Sequence, residues 1–165
     1  MIISEATVYL MNRLEANEGI IESFLDEQGF YASSTSGTSM RPLFKTGRDV
    51  ILIKKAENRL KKFDVALYKS PVGKYTLHRV IGFFDEGYLI RGDNTFTVER
   101  VPYESVLGVL VEFNRNGKKH TVEEKGYIFY YKMWNFIYPL RFLIHYVRSI
   151  AVCAVRKIIK LLSKK

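Results

Sequence analysis

The chain has 165 residues, of which 47% are hydrophobic and 26% charged, and its formal net charge is +9. This length favours one domain with an appendage, and this composition excludes a predominantly disordered protein. A single cysteine, Cys153, excludes an internal disulfide and a cysteine-based zinc site. The three histidines lie far apart without metal-ligand spacing, so we expect neither a metal nor a cofactor.

The positive charge is concentrated at the C-terminal end. Residues 127–165 contain eight lysines and arginines and no acidic residue, whereas the preceding 126 residues hold 18 basic and 17 acidic side chains. The sequence therefore describes a nearly neutral domain with a basic tail. This charge does not indicate a nucleic-acid-binding surface spread over the fold, and we expect no nucleic-acid partner.

Short helices are predicted at the N-terminal end. Residues 4–17 have apolar side chains at helical spacing after Ser4, a candidate N-cap, and a second helical turn over 20–28 ends at Gly29, a candidate C-cap. Polar and acidic residues interrupt the first apolar stretch, so we expect no signal peptide. We interpret 1–28 as an N-terminal helical segment.

A β domain is predicted over 29–126. Short runs typical of strands alternate with turn signals, and two of these turns, Ser70–Gly73 and Asp85–Gly87, suit hairpins. The candidate strands are 30–35, 49–55, 63–69, 74–83, 87–91 and 105–113. His120 is expected at a solvated hairpin end. Because no helical segment intervenes, we expect a mainly β, α+β fold with an antiparallel, barrel-like sheet.

The tail over 127–165 is predicted to form a basic amphipathic helix with aromatic residues in its first half. Counting turns from Pro139, most basic side chains fall within an arc of about 120° and most aliphatic ones lie opposite. A membrane-spanning placement would bury Arg141 and Arg148 at roughly 2.5–3.5 kcal/mol each, so we expect 133–162 to lie on an anionic membrane surface instead. Packing on the β domain or on a second copy of the chain is the alternative.

The β domain contains the residue types that nucleophilic catalysis needs. Ser39 lies in the segment Gly37–Leu43, and a serine hydroxyl becomes a good nucleophile when a neighbouring base takes its proton. His78 is the only histidine within the predicted strands, and carboxylates that could orient its imidazole follow at Asp93 and Glu99. Each of these signals by itself is also typical of an ordinary turn or strand residue.

Four sequence boxes in this region resemble the signal peptidase superfamily, which also includes the self-cleaving LexA-type repressors. In chain order they are GTSMRPLFKTGRDVILI, KKFDVALYKSP, LHRVIGF and YLIRGDN. They are similar to a Ser-Met-x-Pro nucleophile box, an Asp-Val strand box, a Lys-or-His-Arg-Val box and a Gly-Asp box. The resemblance covers residues 37–94 and the strand that follows, about half of the chain.

The resemblance implies a Ser39–His78–acid mechanism. Histidine stands where bacterial signal peptidases and the repressors have lysine, as it does in the endoplasmic-reticulum and archaeal-type enzymes. Lys74, four residues earlier, is interpreted as a bystander. The histidine-type enzymes have a further aspartate six residues after the first one of the Gly-Asp box, and Glu99 occupies that position here. The acidic partner is Glu99 or Asp93, and the sequence leaves both open.

The substrate is expected to be an extended peptide, such as a leader peptide, that adds beside the strand leading into Ser39. The candidate substrate-binding residues are Ser34, Thr35, Gly37, Thr38 and Met40. Gly37 stands where many signal peptidases have a serine that helps to bind the oxyanion. The oxyanion hole would then consist of backbone N–H groups near Ser39, together with the Thr38 hydroxyl.

We therefore expect a serine endopeptidase that cleaves a peptide or protein precursor. The alternative from another class is a non-catalytic binding module on the same fold, with the basic tail as its lipid- or partner-binding element. A self-cleaving repressor is a third hypothesis, but the 36 residues before Gly37 are too few and too acidic for a DNA-binding helix-turn-helix. We expect a cytoplasmic location, peripheral at the inner face of the cell membrane.

Overall fold

The computed structural model describes residues 19–162. The helix predicted over 4–17 lies outside the described residues. One compact unit ends at Tyr127 and a second one begins at Ile128.

Helix α1, Ile20–Gln28, ends at Gly29 as the sequence predicted. The φ angle of Gly29 is 75°, and its N–H donates to the carbonyl of Leu25 at 3.1 Å. Glycine adopts this left-handed conformation without the penalty that a Cβ atom brings, which is why it ends the helix. Ile21 and Leu25 lie four residues apart on one helix face, and both are buried.

Eight strands form one antiparallel sheet. They are β1 (Phe30–Ser34), β2 (Val50–Lys55), β3 (Val65–Lys69), β4 (Tyr75–Phe84), β5 (Gly87–Arg91), β6 (Glu99–Pro102), β7 (Val106–Arg115) and β8 (Lys118–Thr121). The strand order is β1-β2-β7-β3-β4-β5-β6, and β8 pairs with β7. The predicted α+β class and antiparallel sheet are confirmed. Strands β1 and β6 are the two ends of this order, and among residues 19–162 no pairing between them is seen.

The six predicted strands are all present, but β6 and β8 were not predicted. Each has four residues rich in charged side chains, and β6 also contains Pro102, so neither has the apolar alternation that signals a strand. The expectation for His120 was wrong in part. It lies within β8, half-buried, and its ring stacks on Phe113 with the centroids 5.3 Å apart.

The turn at Ser70–Gly73 sets the register beside His78. Ser70 N–H donates to the carbonyl of Lys74 at 2.9 Å, and strands β3 and β4 then pair with Ala66 opposite His78 and Tyr68 opposite Thr76. Because side chains alternate between the two faces of a sheet, Tyr68 and His78 lie on the same face as diagonal neighbours. The register therefore brings a tyrosine hydroxyl to the imidazole.

One hydrophobic cluster lies on that same face of the sheet. The buried residues that form it are Leu60, Ala66, Tyr68, Val80, Tyr88, Ile90 and Val101. Since they come from β3, β4, β5 and β6 and the loop before β3, the apolar packing fixes these strands against one another. His78 and Tyr68 therefore stand on a rigid part of the fold, as the positioning of a site requires.

Two helices make up the C-terminal segment, α2 (Lys125–Phe136) and α3 (Tyr138–Leu162). Helix α3 starts one residue before Pro139, close to the predicted start. In the part of the chain that the structure describes, no single helix has the length and apolarity to cross a membrane, whereas α2 and α3 together would pass by length and composition, with a 50° bend between them.

Candidate active site

Ser39 lies in the loop between β1 and β2, where backbone hydrogen bonds hold the chain. Thr35 N–H donates to the carbonyl of Asp49, and Gly47 N–H donates to the carbonyl of Thr35, each at 2.9 Å. The Asp49 side chain is fully buried, and its carboxylate accepts a bond from Lys45 N–H at 2.8 Å. These bonds brace both ends of the loop, and Ser39 itself is half-buried.

A second loop, after β5, is fastened to the Ser39 loop. Asn94 donates from its backbone N–H to the carbonyl of Ser39 at 2.7 Å and from Nδ2 to the carbonyl of Thr38 at 3.2 Å. A Cβ atom at Gly92 would lie 2.7 Å from the Ser39 carbonyl oxygen and 3.0 Å from His78 Nε2, so those two atoms are at most 5.7 Å apart. Position 92 therefore requires glycine, because any side chain there would push the serine loop and the imidazole apart.

His78 is buried, and its two ring nitrogens have different surroundings. Nδ1 lies 3.0 Å from Glu99 Oε1, whereas Nε2 has no hydrogen-bond partner among the described residues. A carboxylate only accepts hydrogen bonds, so Nδ1 carries the proton and Nε2 keeps its lone pair. Burial lowers the pKa of His78 and Lys74 acts in the same direction, outweighing the opposite effects of Glu99 and Asp93. The imidazole is therefore neutral at pH 7 and able to accept a proton at Nε2.

Tyr68 completes this cluster, and the sequence analysis did not find it. Its side chain is almost fully buried, and its hydroxyl donates a hydrogen bond to Glu99 Oε2 at 2.8 Å. The hydroxyl oxygen of Tyr68 also lies 3.2 Å from His78 Nδ1. Burial raises the pKa of Tyr68 and the hydrogen bond to Glu99 raises it further, so the hydroxyl stays protonated. The carboxylate is thus held at one oxygen by tyrosine and faces the imidazole with the other. The Ser70–Gly73 turn fixes the pairing of β3 with β4, and working out that pairing from the sequence would have indicated that Tyr68 lies close to His78.

The two acidic candidates have separate positions. Glu99 begins β6, opposite Ile90, and contacts His78. Asp93 instead forms a bidentate ion pair with Arg79, with distances of 2.8 Å from Nε to Oδ1 and 2.7 Å from Nη2 to Oδ2. The side chains of this pair are only 1% and 3% exposed. The acid in contact with the imidazole is therefore Glu99.

Arg79 lies directly after His78 on β4 and has further buried partners. Its Nη1 donates to the carbonyl of Phe63 at 2.9 Å and to the hydroxyl of Tyr127 at 3.0 Å. Burial alone would lower the pKa of Arg79, but the facing Asp93 carboxylate raises it overall, so the guanidinium remains charged. This ion pair fixes the loop that carries Gly92 without taking part in the contact between His78 and Glu99.

A cavity of about 690 Å³ opens beside these groups. Ser39, His78 and Glu99 all contribute to its lining, whereas Asp93 does not. The predicted substrate-binding residues that line it are Ser34, Thr35, Gly37 and Met40. Thr38 is exposed and lies outside the lining. Apolar side chains form much of the remaining wall, namely those of Ile21, Tyr31, Phe44, Ile51, Leu67 and Leu77.

A hydroxyl, an imidazole and a carboxylate thus border one cavity, and these are the group types that can act as nucleophile, base and orienting acid. Over the described range, 19–162, no group of three or more histidine, cysteine or acidic residues is placed to hold a metal ion. The chain matches no protein-family model and no curated protein.

Proposed function

We propose that this chain is a serine endopeptidase of the signal peptidase-like type, with Ser39 as nucleophile, His78 as general base and Glu99 as the acid that orients the base. The observation that carries this proposal is a single cavity lined by all three residues, with an unpartnered, neutral Nε2 at most 5.7 Å from the Ser39 carbonyl oxygen. The proposal includes the barrel-like signal peptidase/LexA-type fold that the four sequence boxes imply.

The proposed reaction follows from the proton positions. The Ser39 hydroxyl attacks the carbonyl carbon of a peptide bond while His78 Nε2 takes its proton, and Glu99 stabilises the imidazolium that results. The imidazolium then protonates the leaving amine, and His78 activates the water that hydrolyses the acyl-enzyme ester. Hydrogen bonds of this kind are often long or poorly aligned without substrate and tighten in the complex, so an Nε2 without a close partner is compatible with the base role.

The sheet edge supports an extended peptide as substrate. Strand β1 stands at one end of the strand order, next to β2, and an extended peptide can bind by adding a strand at the end of a sheet. Ser34 and Thr35 at its end line the cavity, and their small side chains let a peptide backbone approach Ser39. We propose that the substrate is a peptide or protein precursor bound as an added strand.

A non-catalytic peptide-binding module is the second candidate, and the apolar side chains that form much of the cavity wall favour it, since they can hold a peptide without any reaction. In this function the cavity holds an extended peptide, and Ser39 forms no ester with it. The two candidates differ in one observable, because only the peptidase shortens the peptides that it binds.

A peptide library incubated with the purified protein and read by mass spectrometry tests the proposal. We expect cleavage by the wild type and a loss of about 10³-fold or more in Ser39→Ala. Ser105→Ala, a serine in the 3-10 turn Tyr103–Ser105 outside the cavity lining, is the matched control and should cleave like the wild type. New protein N-termini in cells expressing these variants would identify the natural precursor. Equal cleavage by Ser39→Ala and wild type, or capture of peptides without cleavage, would contradict the peptidase function.

A further inference from the structure

Helix α3 presents an unusual amount of exposed apolar surface. Ten of its large apolar side chains are 45–59% exposed, namely Leu140, Phe142, Leu143, Ile144, Tyr146, Val147, Ile150, Val152, Val155 and Ile159. Contiguous apolar surface of this kind marks a site of interaction with another molecule or a membrane.

The apolar side chains are gathered on one side of the helix. At 100° per residue, an arc of about 140° contains only apolar residues, including Leu140, Leu143, Ile144, Val147, Ile150 and Val155. The opposite arc of about 120° contains Arg141, His145, Arg148, Arg156 and Lys160. Phe142, Val152 and Ile159 depart from this separation by lying on the basic side. The helix is nevertheless strongly two-sided.

The charges indicate the chemistry of the partner. Residues 125–162 contain seven lysines and arginines and no acidic residue. A second copy of this helix packed on the apolar arc would leave both basic arcs facing water and would supply no anion to them. A bilayer containing anionic lipids supplies an apolar interior for one side of the helix and phosphate groups for the other.

We propose that α3 binds an anionic membrane surface and lies in the plane of the interface. Its apolar arc enters the boundary between headgroups and acyl chains, while Arg141, Arg148 and Arg156 meet lipid phosphates. A placement across the bilayer would put Arg141, His145 and Arg148 in the hydrocarbon, where charged side chains are strongly disfavoured. The in-plane placement leaves the same three residues in water and phosphate.

Flotation of the full-length protein with lipid vesicles tests the membrane claim. We expect the protein to float with vesicles of phosphatidylcholine and phosphatidylglycerol. Its binding to vesicles of phosphatidylcholine alone should be weaker by about tenfold or more. Raised salt should release it, since screening weakens the attraction between arginines and phosphates. An alkaline carbonate wash should extract it, because an interfacial helix is not anchored through the bilayer.

Two adjacent substitutions provide a matched pair for the orientation of the helix. Ile150→Asp and Ser149→Asp add the same negative charge, but Ile150 lies in the apolar arc and Ser149 in the basic one. We expect Ile150→Asp to weaken binding to anionic vesicles about tenfold or more and Ser149→Asp to weaken it less than about threefold. Circular dichroism of both variants checks that the helix content is unchanged.

Each other result would overturn the proposal in a defined way. Retention after the carbonate wash would mean that the segment spans the bilayer, and equal losses in both variants would mean that charge alone drives binding. No flotation, together with a concentration-dependent dimer in sedimentation, would assign the apolar arc to a second copy of the chain. The proposal does not depend on catalysis, so Ser39→Ala protein should float like the wild type.

Discussion

The protein contains two histidine–glutamate pairs with similar contacts and very different surroundings. His78 Nδ1 lies 3.0 Å from Glu99, and His120 Nδ1 lies 2.8 Å from Glu124. The His78 side chain is 8% exposed and that of His120 is 33% exposed. The first pair joins two strands across the sheet and borders the cavity, whereas the second is a local contact between residues four apart.

This difference supports the base role that we propose for His78, because such a role requires more than a carboxylate partner. Burial lowers the pKa of His78 and keeps Nε2 unprotonated, and the Ser39 carbonyl oxygen lies at most 5.7 Å from that nitrogen. In the second pair the hydrogen bond from His120 lowers the pKa of Glu124, and Thr121 N–H holds the same carboxylate, so the contact serves to close a turn. The two pairs therefore supply matched variants for testing the site.

Replacing the two histidines in turn should give the largest difference in cleavage rate between the two pairs. His78→Gln removes the proposed general base, so we expect the cleavage rate of a peptide library to fall about 10³-fold or more. His120→Gln should retain cleavage within about twofold. If both variants lost activity equally, the distinction between the two pairs would be wrong.

Changing each acid to its amide should separate catalysis from stability. Glu99→Gln should reduce cleavage about 10²–10⁴-fold, because a neutral amide does not stabilise the imidazolium of His78 as a carboxylate does. The free energy of unfolding should change little. Asp93→Asn leaves Arg79 charged and buried, so we expect the free energy of unfolding to fall by up to about 3–5 kcal/mol. Urea unfolding beside cleavage assays measures both quantities. The assignment fails if Asp93→Asn abolishes cleavage while the protein remains as stable as the wild type.

The pH dependence should report the environment of His78. The base is active when neutral, so kcat/KM should fall as the pH is lowered through its pKa, and that midpoint should lie below the usual value of about 6.5. The folded state binds this proton less readily than the unfolded chain, so stability should also fall as the pH drops from about 6.5 through the lowered pKa.

Lys74→Met removes one cause of the lowered pKa of His78 and should move the midpoint of the pH profile to higher pH. Lys125→Met should leave that midpoint unchanged. An identical profile in Lys74→Met would show that Lys74 exerts no field at the imidazole.

Tyr68→Phe should have the smallest effect. It removes the hydrogen bond that the Tyr68 hydroxyl donates to Glu99. We therefore expect kcat/KM to fall about tenfold and the free energy of unfolding to fall by about 1 kcal/mol. Tyr103→Phe, at a tyrosine whose hydroxyl lies 3.4 Å from the Phe84 carbonyl, is the matched control. NMR titration of His78 gives a second measurement that does not require activity. An unchanged titration curve and unchanged cleavage would limit Tyr68 to a packing role.

The sequence predicted the site residues that belong to local motifs. It did not identify the site residues whose position depends on how the strands pair. Ser39 and His78 stand in recognisable boxes, and the hairpin turns around β4 were visible as Pro and Gly signals. The choice between Asp93 and Glu99 depends on β6, whose four residues have no apolar alternation, and on its pairing opposite Ile90. Tyr68 was missed for a similar reason, since its role follows from a diagonal contact between strands and not from its spacing along the chain.

The most direct test of the central claim is to trap the covalent intermediate. Acid quenching during peptide cleavage, followed by peptide mapping, should detect the acyl part of the substrate as an ester on Ser39. We expect this adduct in the wild type and in His120→Gln, and none in His78→Gln. Cleavage that proceeds with an adduct on another residue, or that persists in Ser39→Ala, would contradict the account.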